Sequence, residues 1–168
     1  MTTIFDFTRM ESAANWLSMG DAVMGGRSVG RLRPTAAGAA VFEGVVSLEN
    51  NGGFASARSR PLRRRLPANA RLMVECRGDG KTYKLVARTD AAFDGIAYHA
   101  SFAPPATDWT TCVFAPTDFA PTFRGRVVLA PPLQTASIVT LGLMIAGKQA
   151  GPFSLQLRRI GVVPSAPR

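Results

Sequence analysis

A single histidine, His99, and two cysteines, Cys76 and Cys112, are the whole supply of imidazole and thiol side chains in 168 residues. A zinc site needs several such ligands held close together, and two distant cysteines without a nearby histidine do not provide them. A Ser–His or Cys–His catalytic pair has to be built on His99. Its neighbours at strand spacing, Ala97 and Ser101, offer no carboxylate to orient the ring. Acidic residues number only 11 and stand mostly in turns, so no carboxylate pair for glycosidic chemistry is marked out. No loop has the dense alternation of aspartates that a calcium site requires. These scarcities predict a protein that is not an enzyme and holds neither metal nor cofactor. Cys76 and Cys112 each lie among apolar residues and are expected to be reduced, buried and slow to react.

Long apolar runs are missing too, and nothing approaches the ~20 residues of a membrane-spanning helix. The opening MTTIFDFTRM has neither the basic and apolar regions of a signal peptide nor the Arg- and Ser-rich character of a transit peptide. The expected location is a cytoplasm of bacterial type.

Lysine is scarce, at positions 81, 84 and 148 only, so arginine supplies nearly all of a net charge of +9. Part of it is clustered at Arg58, Arg60, Arg63, Arg64, Arg65 and Arg71. Such a patch suits an acidic partner or nucleic acid, and equally a solvated loop and a charged strand edge that deters mispairing. Hydrophobic residues make up 46% and charged ones 18%, which marks a packed globular chain of a length suited to one domain. That domain is expected over residues 1–163, with a frayed tail at 164–168.

What is abundant is alternation. Phe42, Gly44, Val46 and Leu48 share one side against Glu43, Val45 and Ser47. Leu72, Val74 and Cys76 alternate with Arg71, Met73 and Glu75, and Tyr83, Leu85 and Ala87 with Lys84, Val86 and Arg88. Ile96, Tyr98, Ala100 and Phe102 stand against Ala97, His99 and Ser101. The stretches DWTTCVF, IVTLGLMI and GPFSLQLRRIGVV continue the habit. In the last of these the apolar phase shifts after Leu157, which predicts a bulge at Arg158 and Arg159. Only residues 8–17 offer a helical turn or two. Turn clusters separate the runs, at Gly25-Gly26, Asn50 to Gly53, Gly78 to Gly80, Pro104-Pro105 and Pro131-Pro132. About ten short strands with such punctuation make an all-β antiparallel sandwich or barrel. The apolar-on-both-faces stretch TLGLMIA belongs near the middle of a sheet. Lys84, Arg88, His99 and Ser101 occupy the non-core phase of two successive strands and form the candidate ligand or partner face.

Within DAVMGGRSVG, the pair Gly25-Gly26 does not open a helix and no Gly-Lys-Ser/Thr follows, so it lacks the setting of a phosphate loop. A turn with Asp21 bonded to its own backbone and glycines at positive φ explains the spacing, with Met24 packed beneath or offered to a partner. Asn51-Gly52 has the chemistry of a tight hairpin. Both turns read as structural.

The order Trp16, Asp21-Ala-Val-Met-Gly-Gly26, Phe42-Glu-Gly44 and Asn51-Gly-Gly-Phe-Ala-Ser56 resembles the complex I intermediate-associated protein 30 family. Asp21, Met24, Gly25, Gly26, Asn51, Gly52, Gly53 and Phe54 are its signature positions in the first half. The later half agrees through Gly78-Asp-Gly80, Tyr83-Lys-Leu85, Arg88-Thr89, Tyr98 with Phe102, Trp109, Asp118-Phe119, Phe123-Arg-Gly125, Leu141-Gly-Leu-Met144 and Gly151-Pro-Phe153. The resemblance covers about residues 4–162. It implies a galactose-binding-like jelly roll and a non-catalytic, chaperone-like role in the assembly of a respiratory complex, with a protein client as partner. It also implies two alternatives: a small polar or carbohydrate ligand on a concave sheet face, because the fold is shared with carbohydrate-binding modules, and RNA held by the arginine cluster. It carries over no catalytic residue.

No aromatic stands between Phe54 and Tyr83 to stack a base beside those arginines, so nucleic acid is the weaker partner class. Changing Arg63, Arg64 and Arg65 to Ser should therefore leave client capture intact. If the cluster held RNA, each phosphate contact would add ~0.7 to the slope of log affinity against log salt. Submicromolar, salt-steep RNA binding that vanishes in the triple variant would contradict this.

Overall fold

The computed structural model describes residues 1–20, 28–49, 53–92 and 94–165. The signature positions Asp21, Met24, Gly25, Gly26, Asn51 and Gly52, and most of the expected tail, lie outside the described residues. Among the described residues there are thirteen strands, where about ten were expected: β1 Thr2–Asp6, β2 Trp16–Gly20, β3 Val29–Thr35, β4 Ala39–Val46, β5 Ala55–Ser59, β6 Arg71–Arg77, β7 Tyr83–Arg88, β8 Ala97–Phe102, β9 Thr110–Phe114, β10 Ala120–Phe123, β11 Arg126–Val127, β12 Thr140–Ile145 and β13 Gly151–Val163. Two-residue β11 and four-residue β10 are too short to leave an alternating signature. One helix of five residues, α1 Met10–Ala14, fills the stretch where helical turns were expected. Among the described residues no helix is long and apolar enough to cross a membrane.

The strands form two antiparallel sheets. One runs β3-β4-β13-β6-β9 with β1 also on β13, and the other β11-β10-β8-β7-β12-β5-β2. The long β13 runs through the first sheet. Gly151–Leu157 pair with β4, and residues 159–162 then pair with β1, while β6 lies along its other side. The pairing with β6 slips between Leu157 and Arg159. This is the bulge that the sequence phase requires, and it returns Ile160 and Val162 to the core after Leu155 and Leu157. TLGLMIA forms β12, inside the second sheet between β7 and β5.

The core lies between the sheets. Phe42, Leu72, Val74, Leu155, Leu157 and Ile160 from one meet Tyr83, Leu85, Ala87, Leu141, Leu143 and Ile145 from the other. Each of these side chains fully buried contributes roughly 1.5–3 kcal/mol. Tyr83 sits among Phe42, Phe102 and Phe153 with ring centroids 6.3–6.4 Å away. Its hydroxyl donates to Asp79 Oδ2 at 2.9 Å, and the same oxygen accepts the backbone N–H of Ser154 at 2.8 Å. One carboxylate thus ties β7 of one sheet to β13 of the other. Burial, reinforced by this bond, pushes the Tyr83 hydroxyl well above its ordinary range, so it stays a donor. Gly78, next to Asp79, is fixed by a bond from its N–H to the Pro105 carbonyl. A Cβ there would lie 2.2 Å from the Pro104 carbonyl oxygen. Gly53 holds φ +148°, a conformation open to glycine and strained for other residues.

Replacing Asp79 by Ala strands a buried hydroxyl and a backbone N–H together. We expect a loss of about 2–4 kcal/mol and a fall in Tm of roughly 5–15 °C. Tyr83→Phe, which removes only one partner, should cost less. A Tm unchanged by Asp79→Ala in calorimetry would show that the inter-sheet tie is not structural.

Candidate functional site

The outward face of the seven-stranded sheet gathers the four residues singled out from alternation. Lys84 pairs with Ser101, Val86 with His99 and Arg88 with Ala97 across β7 and β8, so Lys84, Arg88, His99 and Ser101 share that face. Register carries it onto β12 and β5. Thr140, Gly142 and Met144 lie opposite Arg88, Val86 and Lys84, and Arg58 and Ser56 lie opposite Gly142 and Met144. Leu17 of β2 pairs with Arg58 at the far end, and Ala120 and Thr122 of β10 complete the near end. Gly142, lacking a side chain, leaves a cleft walled by Arg58, Val86, Arg88, Thr140 and Met144. Its free interior of about 10 Å³ admits one water-sized group.

The connection from β7 to β8 bends over this face. Arg58 Nη1 donates to the Ala92 carbonyl at 3.3 Å, and Arg88 Nη1 to the Gly95 carbonyl at 3.2 Å. Arg124 donates twice to Asp94 on the same connection. Both Arg58 and Arg88 are half-buried. Burial, and then the charge of Arg58, push Arg88 down to about 10, so it remains cationic at neutral pH. His99 is pushed down to about 4 by burial and by Lys84 and Arg88. It is a neutral ring whose Nδ1 is buried without a partner and whose Nε2 lies 3.4 Å from Thr122 Oγ1. A neutral imidazole with cations around it and no carboxylate orienter suits recognition better than proton transfer.

The six arginines of the basic cluster do not share one sheet face. Arg58 belongs to the face just described. Arg60, Arg63, Arg64 and Arg65 are exposed on the connection from β5 to β6, and Arg65 donates to the Ala136 carbonyl. Arg71 opens β6 in the other sheet and donates to Pro164. Alternation found Lys84, Arg88, His99 and Ser101 but missed Arg58, Thr140 and Gly142 as their neighbours. Which strands pair is not written in the period of any one of them. The signature residue Trp16 carries no part of this face, being core and packed edge-on against Phe5 and Phe7, and Phe54 is half-buried just before β5.

Two other places carry polar chemistry. On the outer face of the six-stranded sheet, a groove of about 530 Å³ is lined by Val29, Val45, Pro152, Arg31, Glu43 and Asp79. Beyond it Trp109 is covered by Arg158 at 3.9 Å and Arg77 at 5.4 Å from the ring centroid. Cys112 pairs with Val74 on β6, two residues from Cys76 on the same face, and both thiols are free. Contact with Cys112, with burial, raises the Cys76 thiol, and Cys112 itself is only half-buried.

The family model described as Complex I intermediate-associated protein 30 matches residues 5–157. A curated relative from Drosophila melanogaster, "Complex I intermediate-associated protein 30, mitochondrial", is 25% identical over an alignment covering 95% of this chain and 62% of that protein. The chain therefore spans less than two thirds of that relative's length. Among solved structures, a family 11 carbohydrate-binding module from Clostridium thermocellum, in complex with a β-1,3-1,4-mixed-linked tetrasaccharide, superposes with TM-score 0.70. It is 14% identical, and the match covers 99% of this chain and 97% of that one. A family 29 carbohydrate-binding module superposes with TM-score 0.57 at 11% identity, over 98% of this chain and 88% of that one. These structures fix the fold as the jelly-roll sandwich of carbohydrate-binding modules.

The depressed His99 sets a pH dependence. Folded His99 binds its proton only near pH 4, against an ordinary value of 6.5, so the unfolded chain takes up the proton first as pH falls. Its contribution to stability is whole above pH 6.5 and is lost between there and about 4, by at most ~3 kcal/mol. His99→Gln should flatten that part of the pH–stability curve. An identical slope in the variant, read by urea denaturation, would contradict the assignment.

Proposed function

Because the chain belongs to the complex I intermediate-associated protein 30 family, we propose that it is a non-enzymatic binding domain that captures a protein client during assembly of a respiratory complex. The contact surface is the outward face of the seven-stranded sheet around Lys84, Arg88, His99 and Ser101, extended by Arg58. The observation that carries this reading is the composition of that face. Lys84, Arg88 and His99 stand in register on adjacent β7 and β8, and Arg58 stands on β5 across β12, with the aliphatic Leu17, 58% exposed, at the rim. A charged centre with aliphatic flanks is what a protein surface can complement in both charge and shape.

Carbohydrate binding is the second reading, favoured by the fold shared with the family 11 module. Against it, the strand positions named on this face carry no Trp, Tyr or Phe among the described residues, and the cleft is too small for a sugar ring.

Capture of cross-linked clients from the native host by the tagged chain, identified by mass spectrometry, tests the proposal. The double variant Lys84→Ala/Arg88→Ala should reduce recovery of respiratory-complex subunits by roughly tenfold or more. Its Tm should fall by only a few degrees, since the visible loss inside the fold is the Arg88 bond to Gly95, worth ~1 kcal/mol. Full capture by the double variant would refute this surface. Recovery of glycans in place of respiratory subunits would favour the second reading.

A further inference from the structure

The edges of an antiparallel sandwich present rows of unpaired backbone N–H and C=O groups that another chain can extend. Most edges of this protein carry a feature that blunts them. β3 has Arg31, Arg33 and Pro34 within its length. β1 is interrupted by a register shift between Thr3 and Phe5 and ends on the charged Asp6. β11 is two residues long and includes Arg126. β2 lies beside β3 of the other sheet, which covers its flank. β9 differs. It closes the six-stranded sheet, with β6 as its neighbour on one side only. Its sequence, Thr-Thr-Cys-Val-Phe at 110–114, has no charge, no proline and no glycine, and its β-branched residues favour extension. Among the described residues it is the one edge without such a device.

The strand is also held in place. Phe114 is buried, with the rings of Phe102 and Phe119 centred 5.4 and 6.0 Å away, and Cys112 packs against the core. The ladder to β6 runs without a break from Leu72 and Phe114 to Cys76 and Thr110. Among the described residues no backbone hydrogen bond leads from Thr110–Phe114 to any element besides β6. In an antiparallel ladder alternate residues turn both backbone groups away from the partner strand, so the far side of β9 keeps an open row. On the outer face Thr111 is exposed and Val113 is 45% exposed.

We propose that β9 pairs antiparallel with β9 of a second copy of this chain, about a two-fold axis through Cys112. The strand's own self-complementarity selects that partner. Directly opposite side chains must lie on the same face, so only registers centred on a residue are allowed. Centring on Cys112 is the register that pairs all five residues: Thr110 with Phe114, Thr111 with Val113, and Cys112 with itself. No charged residue enters the contact, and the flanking Trp109 and Ala115 are neutral too. Such a contact is isologous and closes on itself. The six-stranded sheets of the two copies join into a single sheet, and both seven-stranded sheets stay uncovered. One short strand edge buries less than the ~1,200 Å² of standard complexes. Two copies at +9 each also repel, so the dimer is weak and needs screening salt.

Sedimentation velocity of the whole chain at about 0.3 M salt tests the pairing in the wild type and in two double variants. The wild type should dimerise with a Kd of roughly 10–100 μM. Thr111→Lys/Val113→Lys sets like charges directly opposite at two places in this register and should weaken dimerisation roughly tenfold or more. Thr111→Lys/Val113→Glu sets opposite charges at the same two places and should restore it. Both positions are exposed, so the Tm of each variant should stay within a few degrees of the wild type. Hydrogen exchange adds a readout that needs no variant. Amides within Thr110–Phe114 should exchange more slowly as the wild type is concentrated through its Kd, and those of β11 should not. A chain that stays monomeric at about 500 μM, even one that takes up a client strand at this edge, overturns the proposal. So does a dimer indifferent to the first double variant, or one that the second fails to restore. Concentration-dependent protection outside β9 alone assigns the contact to another surface and overturns it as well.

Discussion

The carboxylate of Asp79 holds the two sheets in a fixed relation, and the orientation of the seven-stranded sheet's outward side chains follows from it. Its Oδ2 takes the hydroxyl of Tyr83, the first residue of β7, and the backbone N–H of Ser154 on β13. Tyr83 is fully buried among aromatic rings from both sheets. With Tyr83 pinned inward, the two-residue period of the strand leaves Lys84, Val86 and Arg88 no choice but the outward face. Pairing with β8 and β12 then sets His99, Ser101, Thr140 and Gly142 beside them. One buried polar interaction at the start of a strand thus decides which side chains face outward along the rest of it. Its position beside Gly78, where a Cβ would collide with Pro104, gives the Gly78-Asp79-Gly80 signature a physical cause.

Much of this was legible in the sequence because period two is a local signal. The inward set Leu72, Val74 and Cys76 is buried as alternation requires, and so is the phase change at Leu157, which emerges as a bulge. The pairing of Lys84 and Arg88 with the His99 strand was legible for a further reason. β7 and β8 are consecutive in the chain, and consecutive antiparallel strands tend to be neighbours. Arg58 is different. Read along the chain, it belongs with Arg60 and Arg63–Arg65, yet β5 lies beyond β12, a strand more than eighty positions later. Non-local pairing separates it from its sequence neighbours and delivers it to Arg88. Thr140 was illegible in the same way, since a threonine at the start of an apolar strand carries no mark of the partner that will leave its hydroxyl stranded.

The two outer faces of the sandwich differ in how their charges are arranged. On the six-stranded sheet opposite charges meet one another. Glu43 accepts from Arg33 and lies near Arg31, and Glu75 lies 3.5 Å from Arg158, which also covers Trp109. Such half-exposed pairs contribute little to stability individually. On the seven-stranded sheet the strand positions around Gly142 carry Arg58, Lys84 and Arg88, and the acids of the overlying connection engage Arg124 and the backbone. Asp90 of that connection also attracts Arg58 and Arg88, and Asp94 attracts Arg88.

Polar groups left over at that face argue in the same direction. A sequence under selection for stability alone would place valine at 140, where β-branching suits the strand and the buried hydroxyl has no partner. It would also avoid placing a neutralised histidine between Lys84 and Arg88, where burial and like charge push its proton off. Folded proteins depart from local rules of this kind mainly where a site requires it. Here Thr140 stands opposite Arg88, and His99 lies between Lys84 and Arg88, on one outward face. The stability given up there is recovered in the core between the sheets, where Leu85, Leu141, Leu143 and Leu157 are completely buried. The aliphatic interior and the unsatisfied exterior of β12 are two sides of a single strand. Its inward leucines fix the strand against the core, and that register sets Thr140 opposite Arg88 and Gly142 opposite Arg58 on the outer side.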